Sequence, residues 1–295
     1  MAEYSIKDLE NITSLKAHTI RIWEQRYGLL TPQRTATNIR FYTDDDLKKL
    51  LSVMMLMEAG MKISAIGKLS DVEWKQKVEE AIEQESTGPQ KLAVKINQTR
   101  IAILEYDEIS IHAVLDELIG ELGIDDTYEK FIYPLLVKTG LWWMNDKMTP
   151  AQEHFFSNII RKRLFSVIAN LENRKTSKQK WILFLNEKEE HEIGLLYSYY
   201  LIIRQGAQAL YLGSRVPFEN LKEVAAVYGP THLCTFCVSN QPETYLKKFI
   251  EQLAAHFPQQ SICVSGPSNY LNNLLAEKNI IALHSVEQLK NQLQS

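Results

Sequence analysis

The last third of the chain alternates between short apolar runs and segments with helical spacing, and this alternation restricts the fold more than any other feature. Five strands that alternate with helices imply a parallel, doubly wound α/β sheet. Right-handed crossovers leave few strand orders, among which the flavodoxin-like order comes first. The predicted strands are residues 181–185, 209–212, 232–238, 261–264 and 280–284. The predicted helices are residues 194–205, 218–228, 242–257, 270–278 and 286–294.

A histidine lies on the loop that follows the first of these strands. The loop runs from Glu189 through His191 to Gly194. Ligands of open α/β sheets bind at the carboxyl ends of the strands. A neutral imidazole is a good ligand for a transition metal, and a carboxylate on its second nitrogen fixes the tautomer. The glycine would let the backbone approach a bulky ligand. A solvated acidic loop before a helix is the alternative, and the pattern alone leaves both interpretations open.

Two further blocks precede the sheet. The first, residues 1–72, has short helical patterns and a turn-rich interruption. The second, residues 73–177, has long amphipathic patterns and few glycines, which predicts a bundle of about four helices. A polar stretch at 173–180 predicts a linker. We therefore expect three domains: a helix-turn-helix domain at 1–72, a helical bundle at 73–177 and an α/β domain at 178–295.

Composition narrows the class of protein. The net charge of -3 gives no global signal for nucleic acid, so a site of that kind must be local. Three cysteines, Cys234, Cys237 and Cys263, are too few for a disulfide framework. Because the first two lie in an apolar β-like run, buried thiols are favoured over a zinc or redox site. The sequence shows neither a signal peptide nor an apolar run that could span a bilayer, so we expect a cytoplasmic protein without a membrane partner.

The amino-terminal block carries a local basic patch on a helix-turn-helix pattern. Ser5 is the expected N-cap of a first helix, residues 16–27 form a second, and 31–42 looks like a two-stranded wing. Such a second helix can enter the major groove, where lysine and arginine contact phosphates and base edges. Between residues 16 and 40 the only acid is Glu24. The predicted contacts with a double-stranded DNA operator are Lys16, His18, Thr19, Arg21, Arg26, Tyr27, Arg34, Arg40 and Tyr42.

These residues resemble the MerR family of winged-helix transcriptional regulators. The resemblance is carried by the segments at residues 4–6, 19–30, 40–47 and 58–66. It covers the first block and implies that this block reads DNA.

The helical block has a second notable pattern. Trp143 is followed by Glu153 and His154, which lie one turn into a helix that Thr149 caps and Pro150 begins. A core indole and a satisfied histidine are the alternative interpretation. Together with the Glu189-x-His191-x-x-Gly194 loop, this pattern makes the whole chain resemble the cobalamin-dependent MerR photoreceptor regulators of the CarH/LitR type. Members of that group carry both patterns, in the order helix-turn-helix, four-helix bundle and cobalamin-binding α/β domain.

The resemblance implies a cofactor, adenosylcobalamin, and a set of residues around it. His191 becomes the lower axial ligand to cobalt, with Glu189 behind it. In such regulators the dark, cofactor-bound tetramer binds operator DNA and represses transcription, and light cleaves the cobalt–carbon bond and dissociates the tetramer. A homo-oligomer, dimer or tetramer, is therefore expected. The implied contacts of the nucleotide tail are Gly194, Thr235 and Gly266, and Ser239 is a further predicted cofactor contact. Those of the upper face are Trp143, Met144, Glu153 and His154.

The chain departs from the family pattern at several positions. Met144 stands where the family has a histidine, and a thioether is the weaker cobalt ligand. Thr235-Phe-Cys237 replaces Ser-x-Leu, and Pro267 replaces the second glycine of Gly-Gly, which removes an N–H donor and adds bulk. A regulator of the same fold that has lost cobalamin and responds to a protein partner or another input is therefore an open alternative.

A cobalamin-dependent enzyme accessory protein is a third hypothesis. No pair of polar residues in the sequence looks like an acid–base set, and a DNA-binding block has no natural place in such a protein. We therefore expect a repressor controlled by cobalamin and light rather than an enzyme.

Overall fold

The structure is a computed structural model that describes residues 4–35, 38–83, 89–144, 148–171, 177–239, 241–266 and 279–294. At residues 82–83, 89–90 and 140–144 it describes the backbone alone. The chain forms two compact units, residues 1–159 and 160–295. The three-domain division remains a prediction. Among the described residues, no helix is both long enough and apolar enough to cross a membrane.

The amino-terminal part of the first unit is a winged helix-turn-helix. Ser5 caps the first helix as predicted, since its side chain accepts from the Asp8 amide while the Asp8 carboxylate accepts from the Ser5 amide. Thr43 and Asp46 form the same reciprocal cap on the third helix. The two strands of the wing pair antiparallel. The elements are α1 (Ile6–Thr13), α2 (Ala17–Tyr27), β1 (Gln33–Arg34), β2 (Arg40–Phe41), α3 (Asp44–Glu58) and α4 (Ile63–Ile66).

Long helices follow, as the amphipathic spacing predicts. Gly123 adopts a φ of 76° inside one of them and kinks it, and a π-helical turn at Tyr128–Ile132 leads into the next helix. Thr149 caps the last helix, with Pro150 as its first residue, and this confirms the predicted start. The helices are α5 (Asp71–Glu83), α6 (Pro89–Glu105), α7 (Glu108–Thr127), α8 (Tyr133–Met144) and α9 (Pro150–Ala169).

The second unit is built on a five-stranded parallel sheet. Its strands are β3 (Lys180–Asn186), β4 (Gln208–Val216), β5 (His232–Phe236), β6 (Ser261–Ser265) and β7 (Ile280–Leu283). Their spatial order is β4-β3-β5-β6-β7, which is the flavodoxin-like order and confirms the predicted fold class. The connecting helices are α10 (Ile193–Arg204), α11 (Phe218–Tyr228), α12 (Glu243–His256) and, after β7, α13 (Val286–Gln294). The helix predicted at 270–278 lies outside the described residues.

Both faces of the sheet are buried. Side chains alternate along each strand, so successive residues lie on opposite faces. Ile182 and Phe184 of β3 and Leu233 of β5 belong to the core that the sheet forms with α11 and α12. Leu183 and Leu185 are equally buried but point to the opposite face. This alternation determines which loop residues share a face at the ends of the strands.

Phe184→Ala tests the importance of this core. Phe184 is fully buried and its ring lies 6.4 Å from that of Phe249, so its removal leaves a cavity that costs about 3–5 kcal/mol. Denaturant unfolding followed by circular dichroism measures the loss. Val227→Ala is the control, because Val227 is 91% exposed and its truncation should change stability by less than about 0.5 kcal/mol. Equal stability of the two variants would contradict this description of the core.

Candidate functional site

The predicted histidine loop lies at the switch point of the sheet. It connects β3 to α10, and β3 lies between β4 and β5. The chain therefore crosses from β3 towards one edge and later returns to the other side of β3, which opens a crevice at the carboxyl ends of β3 and β5. The loops after these two strands, which include His191 and Ser239, meet in this crevice.

A single buried carboxylate joins the two loops. Glu189 is fully buried. Its Oε1 accepts from the amides of Glu190 and His191 at 3.0 and 3.1 Å. Its Oε2 accepts from the amides of Val238 and Ser239 at 2.8 and 2.7 Å and from the Ser239 hydroxyl at 2.8 Å. The Gln241 side-chain amide adds a longer bond of 3.3 Å. Glu189 thus holds both loops at the crevice.

The same carboxylate orients the histidine. Nδ1 of His191 lies 2.7 Å from Glu189 Oε1, and the imidazole is about half exposed, at 52%. Burial alone would raise the pKa of Glu189, but the bonds from His191 and from the Ser239 and His191 amides outweigh it and lower the pKa to about 2. Glu189 is therefore a carboxylate at neutral pH. Nδ1 then carries the proton, which leaves Nε2 as the nitrogen with the lone pair for a metal.

The residue after the histidine has partners of its own. Glu192 Oε1 lies 2.9 Å from Arg161 Nε, and Glu192 Oε2 accepts from the Tyr211 hydroxyl at 2.9 Å. Burial and the nearby Glu192 charge raise the pKa of Tyr211, so its hydroxyl remains a donor. Arg161 belongs to α9, and Tyr211 to β4. Both sides of the histidine are therefore fixed to packed elements.

The residues implied for the nucleotide tail do not share one face of the sheet. A Cβ on Gly194 would lie 2.8 Å from the ring of Phe236, the last residue of β5. Thr235 precedes Phe236 and therefore lies on the other face, with Leu233 and the α11–α12 core. Its buried hydroxyl has no hydrogen-bond partner among the described residues. Gly266 lies against the backbone just after β5, because a Cβ there would come within 2.9 Å of the Cys237 carbonyl oxygen.

The cysteines of this region are buried thiols, as predicted. Cys234, Cys237 and Cys263 are all free and buried. Burial raises the pKa of Cys237 and of Cys263 to about 12, so both are protonated at neutral pH.

The residues predicted to cover the upper face belong to the first unit. Glu153 and His154 lie in the first turn of α9, where Glu153 Oε2 is 2.7 Å from His154 Nδ1. His154 is 71% exposed, so it is not the interior histidine of the alternative interpretation. Trp143 and Met144 end α8, and their side chains lie outside the description. Their role as upper-face contacts remains a prediction.

The predicted DNA contacts lie mainly on α2 and the wing. Lys16, His18, Arg21 and Arg26 are exposed, and Thr19 is partly exposed. Ile20 and Trp23 are buried on the other side of α2, which confirms the predicted packing face. Arg34 is exposed in the wing and donates to Asn38 at 2.7 Å. Most of the predicted contacts are therefore accessible from solvent.

Three of the predicted contacts have structural roles. Arg40 Nε lies 3.2 Å from Glu24 Oε1, and the Tyr42 hydroxyl donates to Glu24 Oε2 at 3.0 Å. Tyr42 is fully buried, which argues against a direct contact with DNA. Burial and the bond to Glu24 raise its pKa to about 12. Tyr27 packs on Gly67, where a Cβ would lie 2.8 Å from the Tyr27 Cβ.

Sequence reasoning did not select Glu192, Arg161 or Gln241. Gln241 could have been found by applying the switch-point rule to the loop after the third strand as well as the first. Arg161 and Glu192 are far apart in sequence, and no local pattern joins them.

Comparison with known proteins finds two family matches within this chain. Residues 4–72 match the MerR HTH family of regulatory proteins, and residues 95–166 match the B12 binding domain family. In fold, the chain is similar to a monomethylamine corrinoid protein of Methanosarcina barkeri, with a TM-score of 0.55 and 18% identity over 66% of this chain and 95% of that one. The chain thus contains a segment that matches the MerR HTH family, followed by a segment that matches the B12 binding domain family.

Two curated relatives are similar to this chain over most of its length. The chain is 29% identical to the HTH-type transcriptional repressor CarH of Myxococcus xanthus, over 96% of this chain and 95% of the relative. It is 26% identical to the repressor CarA of the same organism, over 86% of this chain and 83% of the relative. The similarity therefore extends over both units.

Glu189→Gln tests the central role of the carboxylate. Glutamine offers one acceptor oxygen to donors that now use two charged oxygens, so several buried donors lose their partner and the second unit is destabilised by roughly 3 kcal/mol. Urea unfolding followed by tryptophan fluorescence measures this loss. Glu190→Gln is the matched control, because Glu190 is exposed. Among the described residues, its carboxylate forms an ion pair only with Arg215, which is exposed as well. A stability equal to that of the control would show that the buried network is unimportant.

Proposed function

We propose that this protein is a transcriptional repressor whose binding to operator DNA is controlled by adenosylcobalamin held at His191. One observation carries the proposal: an exposed imidazole, whose Nδ1 is 2.7 Å from a buried carboxylate, at the switch point of a flavodoxin-like sheet. An imidazole oriented by a carboxylate is the arrangement that proteins use for metal-ligating histidines. The similarity to two repressors, over 96% and 86% of this chain, supports the regulatory part.

The residues at the crevice fit the lower side of such a cofactor. Glu189 keeps the proton on Nδ1, so His191 would bind cobalt through Nε2. The orphaned hydroxyl of Thr235 and the close backbone approach at Gly266 are features that a polar nucleotide tail could use. Bound adenosylcobalamin supplies a cobalt–carbon bond that light can break. Glu153 and His154 present a polar pair at the start of α9, suited to the adenosyl side.

In this proposal, the winged helix-turn-helix binds the operator DNA. Arg21 and Arg26 would contact phosphates and base edges from α2, and Arg34 would contact the backbone from the wing. We propose that the protein acts as a homo-oligomer, tetrameric in the dark, and that illumination dissociates it and releases DNA. Because it must reach chromosomal DNA, we assign the protein to the cytoplasm. We propose that it acts as a regulator and not as an enzyme.

A second candidate function follows from Phe236. Its ring lies against Gly194, on the face where a nucleotide tail would run beside that glycine, and Thr235 lies on the other face. This arrangement favours a regulator of the same fold that no longer takes cobalamin and responds to another input. Cobalamin uptake separates the two candidates. A cobalamin-controlled repressor takes up the cofactor, which requires Phe236 to move aside for the tail. A regulator that has lost cobalamin takes up none when purified.

His191→Ala tests the cofactor site. Because the imidazole is the proposed cobalt ligand, adenosylcobalamin affinity should fall at least about 100-fold while circular dichroism stays unchanged. Absorbance titration in the dark gives the affinity, and spectra before and after illumination test the light response. His284→Ala is the control, since His284 is an exposed histidine of the same unit. Equal affinity in the variant and the parent would remove His191 as the ligand, and no uptake by the parent would favour the second candidate.

Arg21→Ala tests the DNA surface. Removal of one exposed cation from α2 should weaken operator binding about tenfold and lower the salt slope by about one. Fluorescence anisotropy with labelled operator at several salt concentrations measures both quantities. Lys75→Ala is the control, because Lys75 is an exposed cation of α5 outside the predicted surface. An unchanged salt slope in Arg21→Ala would exclude Arg21 as a contact.

A further inference from the structure

A separate cavity opens at the carboxyl ends of β3 and β4, on the face of the sheet that α11 and α12 cover. Its volume is about 210 Å³. The apolar part of its wall comes from three aromatic rings and one valine: Phe218, Tyr245, Phe249 and Val216. The polar part comes from two amides, Asn186 and Gln252, and from two exposed charged groups, Glu187 and Lys248. All of them belong to the second unit, and the cavity lies on the opposite face of the sheet from Gly194 and Phe236.

The polar wall of this cavity contains an amide donor that the protein does not use. Asn186 is only 1% exposed. Its Oδ1 accepts from the Lys188 amide at 2.9 Å and from the Tyr245 hydroxyl at 3.4 Å, which fixes the orientation of the side chain. Its Nδ2 has no hydrogen-bond partner among the described residues. A buried donor without an acceptor is unfavourable, so a ligand that brings an acceptor gains by satisfying it.

We propose that this cavity binds a small, planar, mostly apolar molecule that carries one neutral acceptor oxygen, such as an aromatic ketone. Phe218, Tyr245 and Phe249 offer ring faces and edges to a flat molecule, and a neutral carbonyl satisfies Asn186 Nδ2. A charged group is disfavoured inside, because the charged groups of the wall, Glu187 and Lys248, are both exposed and cannot compensate a buried charge. The volume is below that of drug-sized sites, so the ligand is of the size of a single ring with a short substituent.

The occupant of this cavity would contact the turn that leads to His191. Asn186 is the first residue of that turn: its carbonyl accepts from the Glu189 amide at 2.9 Å, and its side chain accepts from the Lys188 amide. A ligand bound to Asn186 therefore perturbs the amides of Lys188 and Glu189. Binding at this cavity needs no cofactor, so the proposal stands independently of cobalamin.

The test uses the full-length protein without cobalamin, labelled with ¹⁵N. Acetophenone is the probe, and α-methylstyrene is its control, because it has the same shape but no acceptor oxygen. Asn186→Asp retains the oxygen that accepts from Lys188 and replaces the donor nitrogen. Asn220→Asp makes the same chemical change at an exposed position of α11. The readouts are the side-chain amide signal of Asn186, assigned by its loss in Asn186→Asp, and the backbone amides of Lys188 and Glu189.

Saturable shifts of these signals with acetophenone are expected, with α-methylstyrene about fivefold weaker because it lacks one buried hydrogen bond. Asn186→Asp should lose at least fivefold in acetophenone affinity, and Asn220→Asp should bind as the parent does. If Asn186→Asp does not fold, Val216→Phe, which fills the cavity, should abolish binding of both probes. No saturable shift up to the solubility limit, or equal affinities for the two probes in the parent, would overturn the proposal and leave the cobalamin site unaffected.

Discussion

The buried carboxylate of Glu189 is the interaction on which the candidate site depends. Desolvation disfavours a charge at this position, yet the donors from two loops compensate for it and keep the pKa at about 2. The same oxygens that close the crevice between β3 and β5 also fix the tautomer of His191. The stability of the two loops and the orientation of His191 therefore rest on one group, so a change that weakens the loop structure also weakens the orientation of the imidazole.

The helix α9 links two groups of candidate residues through its own geometry. His154 lies in its first turn and Arg161 two turns further, so both lie near one face of the helix. Arg161 pairs with Glu192, the neighbour of His191. One helix therefore carries both the polar pair predicted for the upper face and the arginine that pairs with Glu192.

Much of the fold was predictable from sequence because strand and helix patterns are local. The helices at 218–228 and 286–294, the N-caps Ser5 and Thr149 and the flavodoxin-like order were all predicted correctly. The residue contacts of the site were less accessible. Tyr42 is held in place by a hydrogen bond to Glu24, which lies 18 residues earlier in the sequence. The separation of Thr235 from Gly194 follows from the face of the sheet that each residue of β5 occupies. Such pairings are determined by tertiary packing between residues far apart in sequence, so the local patterns of a single sequence do not predict them.

The double role of Glu24 has a consequence for how this regulator can be switched. By accepting from both Arg40 and Tyr42, Glu24 links the end of the wing to α2 and restricts the motion of one relative to the other. The shape that these two elements present to DNA is therefore largely fixed. If the protein acts as the proposed oligomer, the distance between its DNA-binding domains, rather than the shape of each one, must match the spacing of the half-sites.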